Sequence, residues 1–193
     1  MILGLGNDIL SDDAVGPKLV WELEKRRDEG RKHEGRGTKT RKHEAQSDVD
    51  RGSLIVDRNM QCPIHDSRST IHDFKTAALG GLELMEMIQG YDQVVIIDAI
   101  KTPHGVPGTV YELKPEDFKN ALHINNLHDT SFLQALELGK RLGLNLPKQI
   151  DIIAVEIVED LLFSNDFSPK VQQKWPEIVT EVEGLVSEKI LMI

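Results

Sequence analysis

The feature that most restricts the fold of this sequence is a run of four β-branched residues, Val94 to Ile97, that ends at Asp98. β-Branched residues favour strands, and a strand without polar alternation is typical of one buried on both faces in a parallel sheet. Ile150 to Val155 predicts another strand, and Ile2 to Leu5 a short buried one. Thr109 to Leu113 alternates apolar and polar residues, which indicates an edge strand.

Helical patterns separate these strands. Val15, Leu19 and Leu23 recur at four-residue spacing and predict a helix that ends at about Arg27. A strand is also indicated near residues 71–74. Strands that alternate with helices predict an α/β fold, a three-layer sandwich whose mostly parallel, twisted sheet has about five strands. Further helices are predicted at Leu82 to Ile88, Thr130 to Leu142 and Ser168 to Leu191.

The segment from about residue 28 to residue 68 lacks this periodicity. The stretch from Lys25 to Arg51 holds 10 Lys or Arg and 6 Asp or Glu, although the whole chain has a net charge of −9. Such a polar segment buries too little apolar surface to offset the entropy lost on ordering. We therefore expect residues 1–193 to form a single domain with a disordered insertion at about residues 28–68, to which Ser53 to Val56 would add a short strand. A basic contact with an acidic partner is the alternative for this stretch.

Composition excludes several classes of protein. The acidic remainder of the chain disfavours nucleic acid as the main partner, because phosphate binding needs a positive surface. No apolar run approaches the roughly 18 residues that a membrane helix needs, so no membrane contact is expected. The one cysteine, Cys62, allows neither an intrachain disulfide nor a cysteine-based zinc site. No signal peptide is recognisable, and we expect a cytoplasmic protein.

Familiar catalytic motifs are missing from the sequence. It contains no Gly-x-Ser-x-Gly elbow, no His-Glu-x-x-His and no phosphate loop that ends in Gly-Lys-Ser/Thr. Gly4-Leu5-Gly6 begins like a dinucleotide fingerprint, but Ile9 occupies the place of the third glycine. A nucleotide-binding module is therefore a weak alternative.

Two aspartates follow or close predicted strands. Asp13 comes after the first strand and Asp98 closes the central one, and ligands of parallel sheets bind at the carboxyl ends of the strands. A buried carboxylate needs a partner or a metal, although a helix or loop cap is an equally good interpretation of Asp98. His123 and His128 precede the Thr130 helix and are candidates for a third ligand, with helix capping again the alternative. Two carboxylates and an imidazole suit a borderline divalent ion such as nickel or zinc.

The stretch from Gly4 to Gly16 corresponds to the pattern Gly-x-Gly-Asn-x-Leu-x-x-Asp-Asp/Glu-x-x-Gly. In this motif, and in several others that follow it in order, the sequence resembles the hydrogenase maturation endopeptidases. A glycine-rich turn followed by Leu-Glu-Leu corresponds to Gly80 to Leu84. An apolar strand that ends in Asp-Ala, followed by Pro-Gly-Thr, corresponds to Ile97 to Ala99 and Pro107 to Thr109.

The resemblance continues to the end of the chain. His128 matches the histidine that opens the following helix, and Ser168 to Val171 resembles the family's Leu-Ser-Pro-x-Val motif. Val155 to Ile157 occupies the place of a Gly-Ile-Glu-Pro-like motif but lacks its glycine and proline. The matches leave out only about residues 28 to 68.

The resemblance implies a metal-dependent endopeptidase in which Asp13, Asp98 and His128 bind metal and form the catalytic site. Its partner would be the precursor of a nickel-iron hydrogenase large subunit, from which it removes a C-terminal tail after nickel insertion. Nickel would come with the precursor, and zinc or cadmium could substitute in vitro. We expect Asp12 to cap the first helix or to support the metal ligands, and we expect a monomer.

Two other functions remain open at this stage. The same fold and metal contacts would serve a non-cleaving binding protein or chaperone for the precursor. A peptidase that acts on a different protein is the third possibility. Processing of a nickel-loaded precursor separates the first function from the second, and genomic proximity to hydrogenase subunits separates it from the third.

Overall fold

The computed structural model describes residues 1–34, 72–78, 80–115, 117 and 127–191, without the side chains of residues 31–34, 127–131 and 191. Strands and helices alternate along these residues. The strands are β1 (Ile2–Leu5), β2 (Phe74–Ala77), β3 (Gln93–Ile100), β4 (Val110–Leu113) and β5 (Gln149–Glu156). The helices are α1 (Val15–Glu34), α2 (Gly81–Ile88), α3 (Leu127–Arg141) and α4 (Pro169–Leu191), and a short 3-10 helix (Ser11–Ala14) precedes α1.

The five strands form one sheet in the order β2-β1-β3-β5-β4. β1 pairs in parallel with β2 and β3, and β3 pairs in parallel with β5. β4 is antiparallel to β5 at the edge of the sheet, where the alternating sequence predicted it. The predicted α/β fold with a mostly parallel sheet of about five strands is therefore confirmed.

Helices cover both faces of this sheet. Residues of α1 and α4 form one core with Val95 and Ile97, and residues of α2 and α3 form the other core with Val94 and Ile96. Successive side chains of β3 thus enter opposite cores, which is why the strand is apolar without alternation. The three-layer arrangement leaves the carboxyl ends of β1, β2, β3 and β5 at one edge of the sheet.

The first helix is longer than its apolar pattern predicted. α1 continues past Arg27 to Glu34, so the prediction that this helix ends at about Arg27 was wrong. Ion pairs hold the helix just before these added turns: Arg26 lies 3.1 Å from Glu22 on the same helix and 2.6 Å from Glu183 on α4. The pair with Glu22 has the four-residue spacing that stabilises a helix. The strand predicted at Ser53 to Val56 lies outside the described residues, and the single-domain organisation remains a prediction.

Other helix and strand boundaries differ from the predicted ones by a few residues. The strand predicted near residues 71–74 is β2, which starts at Phe74. α3 begins at Leu127 rather than Thr130, so His128 lies inside the helix and not before it. Among the described helices, none has the length and apolar character needed to cross a bilayer.

Candidate active site

A pocket of about 390 Å³ opens at the carboxyl edge of the sheet. Its walls come from the segments that follow β1, β2 and β5 and from the end of β3. The chain runs outward from β1 to β2 and then returns past β1 to β3. The pocket therefore lies at the point where the connections diverge, which is where open parallel sheets bind ligands. Asp13 and Asp98, the two predicted carboxylates, both line it.

Glycines bring the start of α1 directly onto the end of β1. A Cβ atom at Gly4 would lie 2.4 Å from the Gly16 carbonyl oxygen, and one at Gly16 would lie 2.2 Å from that of Leu5. Gly6 has a φ of +133°, and a Cβ there would lie 2.0 Å from the Asp13 carbonyl oxygen. A larger residue at any of the three positions would push α1 away from the strand. The spacing of glycines in the first motif thus sets the position of Asp13.

The turn between Gly6 and Asp13 is fixed by its own hydrogen bonds. The Asn7 backbone N–H donates to Asp13 Oδ2 at 2.7 Å, and the Ile9 N–H donates to Asn7 Oδ1 at 3.2 Å. The Asp13 N–H donates to the Leu10 carbonyl at 2.8 Å. Asp13 is only partly buried, so its carboxylate is held by the backbone and still faces the pocket.

Asp98 lies two residues before the end of β3 and is partly buried. Its Oδ1 accepts the Ala99 N–H at 2.8 Å. Ile96 belongs to the core with α2 and α3, and Ile97 to the core with α1 and α4. Alternation along the strand therefore turns Asp98 toward the face of the sheet that carries α3.

The backbone of His128 lies in the first turn of α3, and its side chain is outside the description. α3 ends close to the amino edge of the sheet, because Asn145, just beyond it, accepts the N–H of Gly90 ahead of β3. The 15 residues of α3 span about 22 Å, roughly the length of the sheet's central strands. The helix accordingly starts toward the carboxyl edge, on the face to which Asp98 turns.

An ion pair bridges two walls of the pocket. Lys101 Nζ, just past β3, lies 2.9 Å from Asp160 Oδ1 in the segment after β5. The hydrogen bond that Lys101 donates to Asp160 raises the pKa of the Lys101 ammonium, so this group stays charged at neutral pH. Lys101 brings a positive charge to a pocket that three carboxylates also line.

Asp12 has a different role from the one that the sequence suggested. Its carboxylate is fully buried; Oδ2 accepts the N–H groups of Val158 and Glu159, each at 3.1 Å, and Oδ1 accepts that of Ser168 at 2.6 Å. The helix-cap interpretation was wrong: the side chain ties the segment after β5, and the start of α4, to the first motif. These partners are 146 to 156 residues away in the chain, and no local sequence pattern indicates them.

Glu156 is a second buried carboxylate at this edge, 1% exposed at the end of β5. It accepts the Thr102 N–H at 2.7 Å and the Thr102 hydroxyl at 3.0 Å. A Cβ atom at Gly105 would lie 1.9 Å from the Glu156 Cδ, so the loop after β3 packs directly against this carboxylate. Burial, and then the charge of Glu156, raise the pKa of the Tyr111 phenol.

Comparison with known families decides what kind of protein has this site. The sequence model of the hydrogenase maturation protease family HycI matches residues 76–185, more than half of the chain. The chain belongs to the hydrogenase maturation protease family. The match includes Asp98 and His128, whereas Asp13 lies ahead of it. No curated protein sequence matches the chain significantly.

Solved structures of this family share the fold of the maturation protease. The hydrogenase maturating endopeptidase HybD from E. coli has a TM-score of 0.58 at 20% identity, over 97% of this chain and 91% of that one. The [NiFe] hydrogenase maturation protease HybD from Thermococcus kodakarensis has a TM-score of 0.53 at 20% identity, over 95% of this chain and 96% of that one. At this identity the likeness concerns the fold.

Sequence reasoning and structure agree on part of the site of this maturation protease. Asp13 and Asp98 line the same pocket, as their positions after parallel strands suggested, and the role of His128 remains a prediction. Where side chains are described, no three His, Cys, Asp or Glu residues form a group that could hold a metal ion. The sequence reasoning missed the contacts of Lys101 and Glu156. Glu156 could have been recognised from its position, because it is an acidic residue at the end of a predicted apolar strand.

Proposed function

We propose that this maturation protease removes a C-terminal tail from the precursor of a nickel-iron hydrogenase large subunit once nickel has been inserted. The observation that supports the proposal most is the pairing of Asp13 and Asp98 in one pocket at the carboxyl edge of the sheet. Membership of the family supports a protease acting in hydrogenase maturation. The removal of a C-terminal tail, and its dependence on nickel, are what we propose in addition.

The chemistry of the donors fits a divalent cation. Asp13 and Asp98 would supply carboxylate oxygens, and His128, at the start of α3, an imidazole nitrogen. This set suits borderline ions such as nickel, and zinc or cadmium could replace nickel in vitro. The bound ion would polarise the scissile carbonyl or activate water. In this proposal the nickel belongs to the precursor, so the carboxylates recognise a substrate that already carries its metal.

Other residues of the pocket would orient the polypeptide around this metal. The Lys101 ammonium stays protonated beside Asp160 and can donate hydrogen bonds to a peptide carbonyl, but it is not suited to accept a proton. Asn7 shapes the turn that holds Asp13, and it lines the same pocket. The glycines under this turn keep the backbone close to the sheet, which leaves room for an extended chain.

The test is incubation of the purified protein with nickel-loaded and apo precursors, followed by measurement of intact mass. We expect only the nickel-loaded precursor to lose its C-terminal tail. Cutting of both forms at equal rates would show that nickel is not recognised. The precursor should be taken from the same organism as the protease, because the client is identified only by class.

Two results would replace the proposal by one of the alternatives. Stable binding of the nickel-loaded precursor without any loss of mass would indicate a chaperone. The absence of both binding and cutting, for every large-subunit precursor of the organism, would indicate a protease with another target.

A further inference from the structure

Three consecutive apolar side chains, Leu161, Leu162 and Phe163, project from the segment after β5. We call them the apolar rim. They are 77%, 59% and 76% exposed, respectively. Single exposed apolar residues are common on protein surfaces, but a continuous run of large ones usually marks a binding surface.

The backbone on both sides of the rim is held in place. Before it, the Asp12 carboxylate holds Val158 and Glu159, and Asp160 pairs with Lys101. After it, the Ser164 N–H donates to the Ile9 carbonyl at 3.1 Å, and the Ser164 carbonyl accepts the Ser11 N–H at 2.9 Å. A loop anchored at both ends presents its side chains in a defined place, and this lowers the entropy lost on binding.

The rim is continuous with the candidate active site. Leu161 lines the pocket together with Asp13 and Asp98. Ile9, which is 49% exposed, belongs to the neighbouring segment that bonds to Ser164. The apolar rim therefore borders the pocket, beside the ion pair of Lys101 and Asp160.

We propose that the apolar rim is a specificity subsite: it binds an extended apolar segment of the precursor polypeptide next to the scissile bond. This inference rests on the proposed function and adds the substrate contact that selects the chain to be cut. The position of Leu161 supports this occupant, since a polypeptide with its scissile bond in the pocket can leave it across this wall and lie on the rim. A second copy of the protease on the rim would cover the pocket mouth instead.

The test compares two matched double variants. Leu161→Ser with Phe163→Ser removes two of the three rim side chains. Leu138→Ser with Leu142→Ser, the α3 variant, removes two exposed leucines away from the rim, of which Leu138 lies on α3 and Leu142 directly follows it. Apo precursor is the probe for equilibrium binding, because the proposed function predicts that it is not cut. Nickel-loaded precursor is the probe for KM and kcat, and thermal unfolding checks stability.

We expect the rim variant to bind apo precursor about tenfold more weakly or worse, since two large apolar contacts are lost. Its KM for nickel-loaded precursor should rise by a similar factor, with kcat changed much less. Its melting temperature should stay that of the unmodified protein, because the side chains removed are exposed. The α3 variant should match the unmodified protein in all three measurements.

Each other outcome has a definite meaning. Unchanged binding and KM in the rim variant would overturn the inference while leaving the proposed function intact. Precursor that the unmodified protein binds through the rim but never cuts would overturn the proposed function alone. If the rim variant instead changes the oligomeric state in sedimentation, the rim joins copies of the protease and the inference is wrong. Absence of any precursor binding to the unmodified protein would refute both.

Discussion

Four carboxylates at the carboxyl edge of the sheet form two contrasting pairs. Asp12 and Glu156 are buried, and each accepts backbone N–H groups from a distant segment. Asp13 and Asp98 are partly buried and line the pocket. We call the first pair the anchoring acids and the second pair the pocket acids. Asp12 and Asp13 are neighbours in sequence, yet they belong to different pairs.

The contrast shows how one edge of a sheet can be both rigid and reactive. The anchoring acids fix the loops after β3 and β5, which carry Lys101 and Asp160. The pocket acids are then left at the surface that these loops enclose. A carboxylate whose oxygens are taken up by buried N–H groups contributes to stability. One that lines a pocket can also contact a ligand bound there.

The largest effect should come from a pocket acid. Replacing Asp98 with Asn keeps the size of the side chain and removes its charge, so a metal or a developing positive charge loses a partner. We expect precursor processing to slow by about a hundredfold to ten-thousandfold, the range typical of a lost acid–base or electrostatic group. Thermal unfolding should change little. The measurement is the rate of tail removal by mass, beside a melting curve.

Asp92→Asn is the matched control for this prediction. Asp92 lies at the other end of β3, and its side chain is 91% exposed beside Lys148. This variant should process the precursor at the normal rate. If Asp98→Asn did so too, the assignment of the pocket acids would be wrong.

An anchoring acid should show the reverse behaviour. Asp12→Ala leaves the N–H groups of Val158, Glu159 and Ser168 without their acceptor in a buried place. We expect a loss of about 3 kcal/mol or more in the free energy of unfolding. For a chain of this size that lowers the melting temperature by roughly 6–12 °C.

Asp8→Ala provides the comparison for this substitution, because Asp8 is exposed and lies in the same turn. It should leave the melting temperature nearly unchanged. Below the lowered melting temperature, the Asp12→Ala protein should keep part of its activity. Complete inactivity of a fully folded Asp12→Ala protein would show that Asp12 is needed for activity as well as for stability, and the distinction between the two pairs would be wrong.

The sequence predicted the fold well because its signals are local. The β-branched run before Asp98 reflects burial on both faces of the sheet, and the four-residue spacing from Val15 to Leu23 reflects burial of one face of a helix. The pocket acids were found in the same way. Asp13 follows one apolar strand and Asp98 lies near the end of another, and parallel strands bring their carboxyl ends to one edge.

The anchoring acids could not be assigned correctly because their partners are distant in sequence. Asp12 looked like a helix cap, since an aspartate ahead of an apolar periodic segment often is one. Its true partners are backbone N–H groups, which almost every residue type provides, so no sequence pattern indicates the contact. Helix α1 was underestimated because residues 28–34 have no apolar spacing, which was the local signal on which the prediction depended.

The smallest expected effect concerns the other anchoring acid and a nearby phenol. Burial and the charge of Glu156 together raise the pKa of Tyr111, so folding favours the neutral phenol. The stability that depends on this phenol is complete below the usual tyrosine pKa of about 10 and is lost as the pH rises through the raised value. Glu156→Gln removes the charge but not the burial, so the pKa should fall part of the way back and the alkaline loss of stability should shrink. Titration of phenolate absorbance in a Tyr91→Phe background, which leaves Tyr111 as the one tyrosine of the chain, measures this pKa. A pKa that Glu156→Gln leaves unchanged would show that Glu156 acts on Thr102 alone.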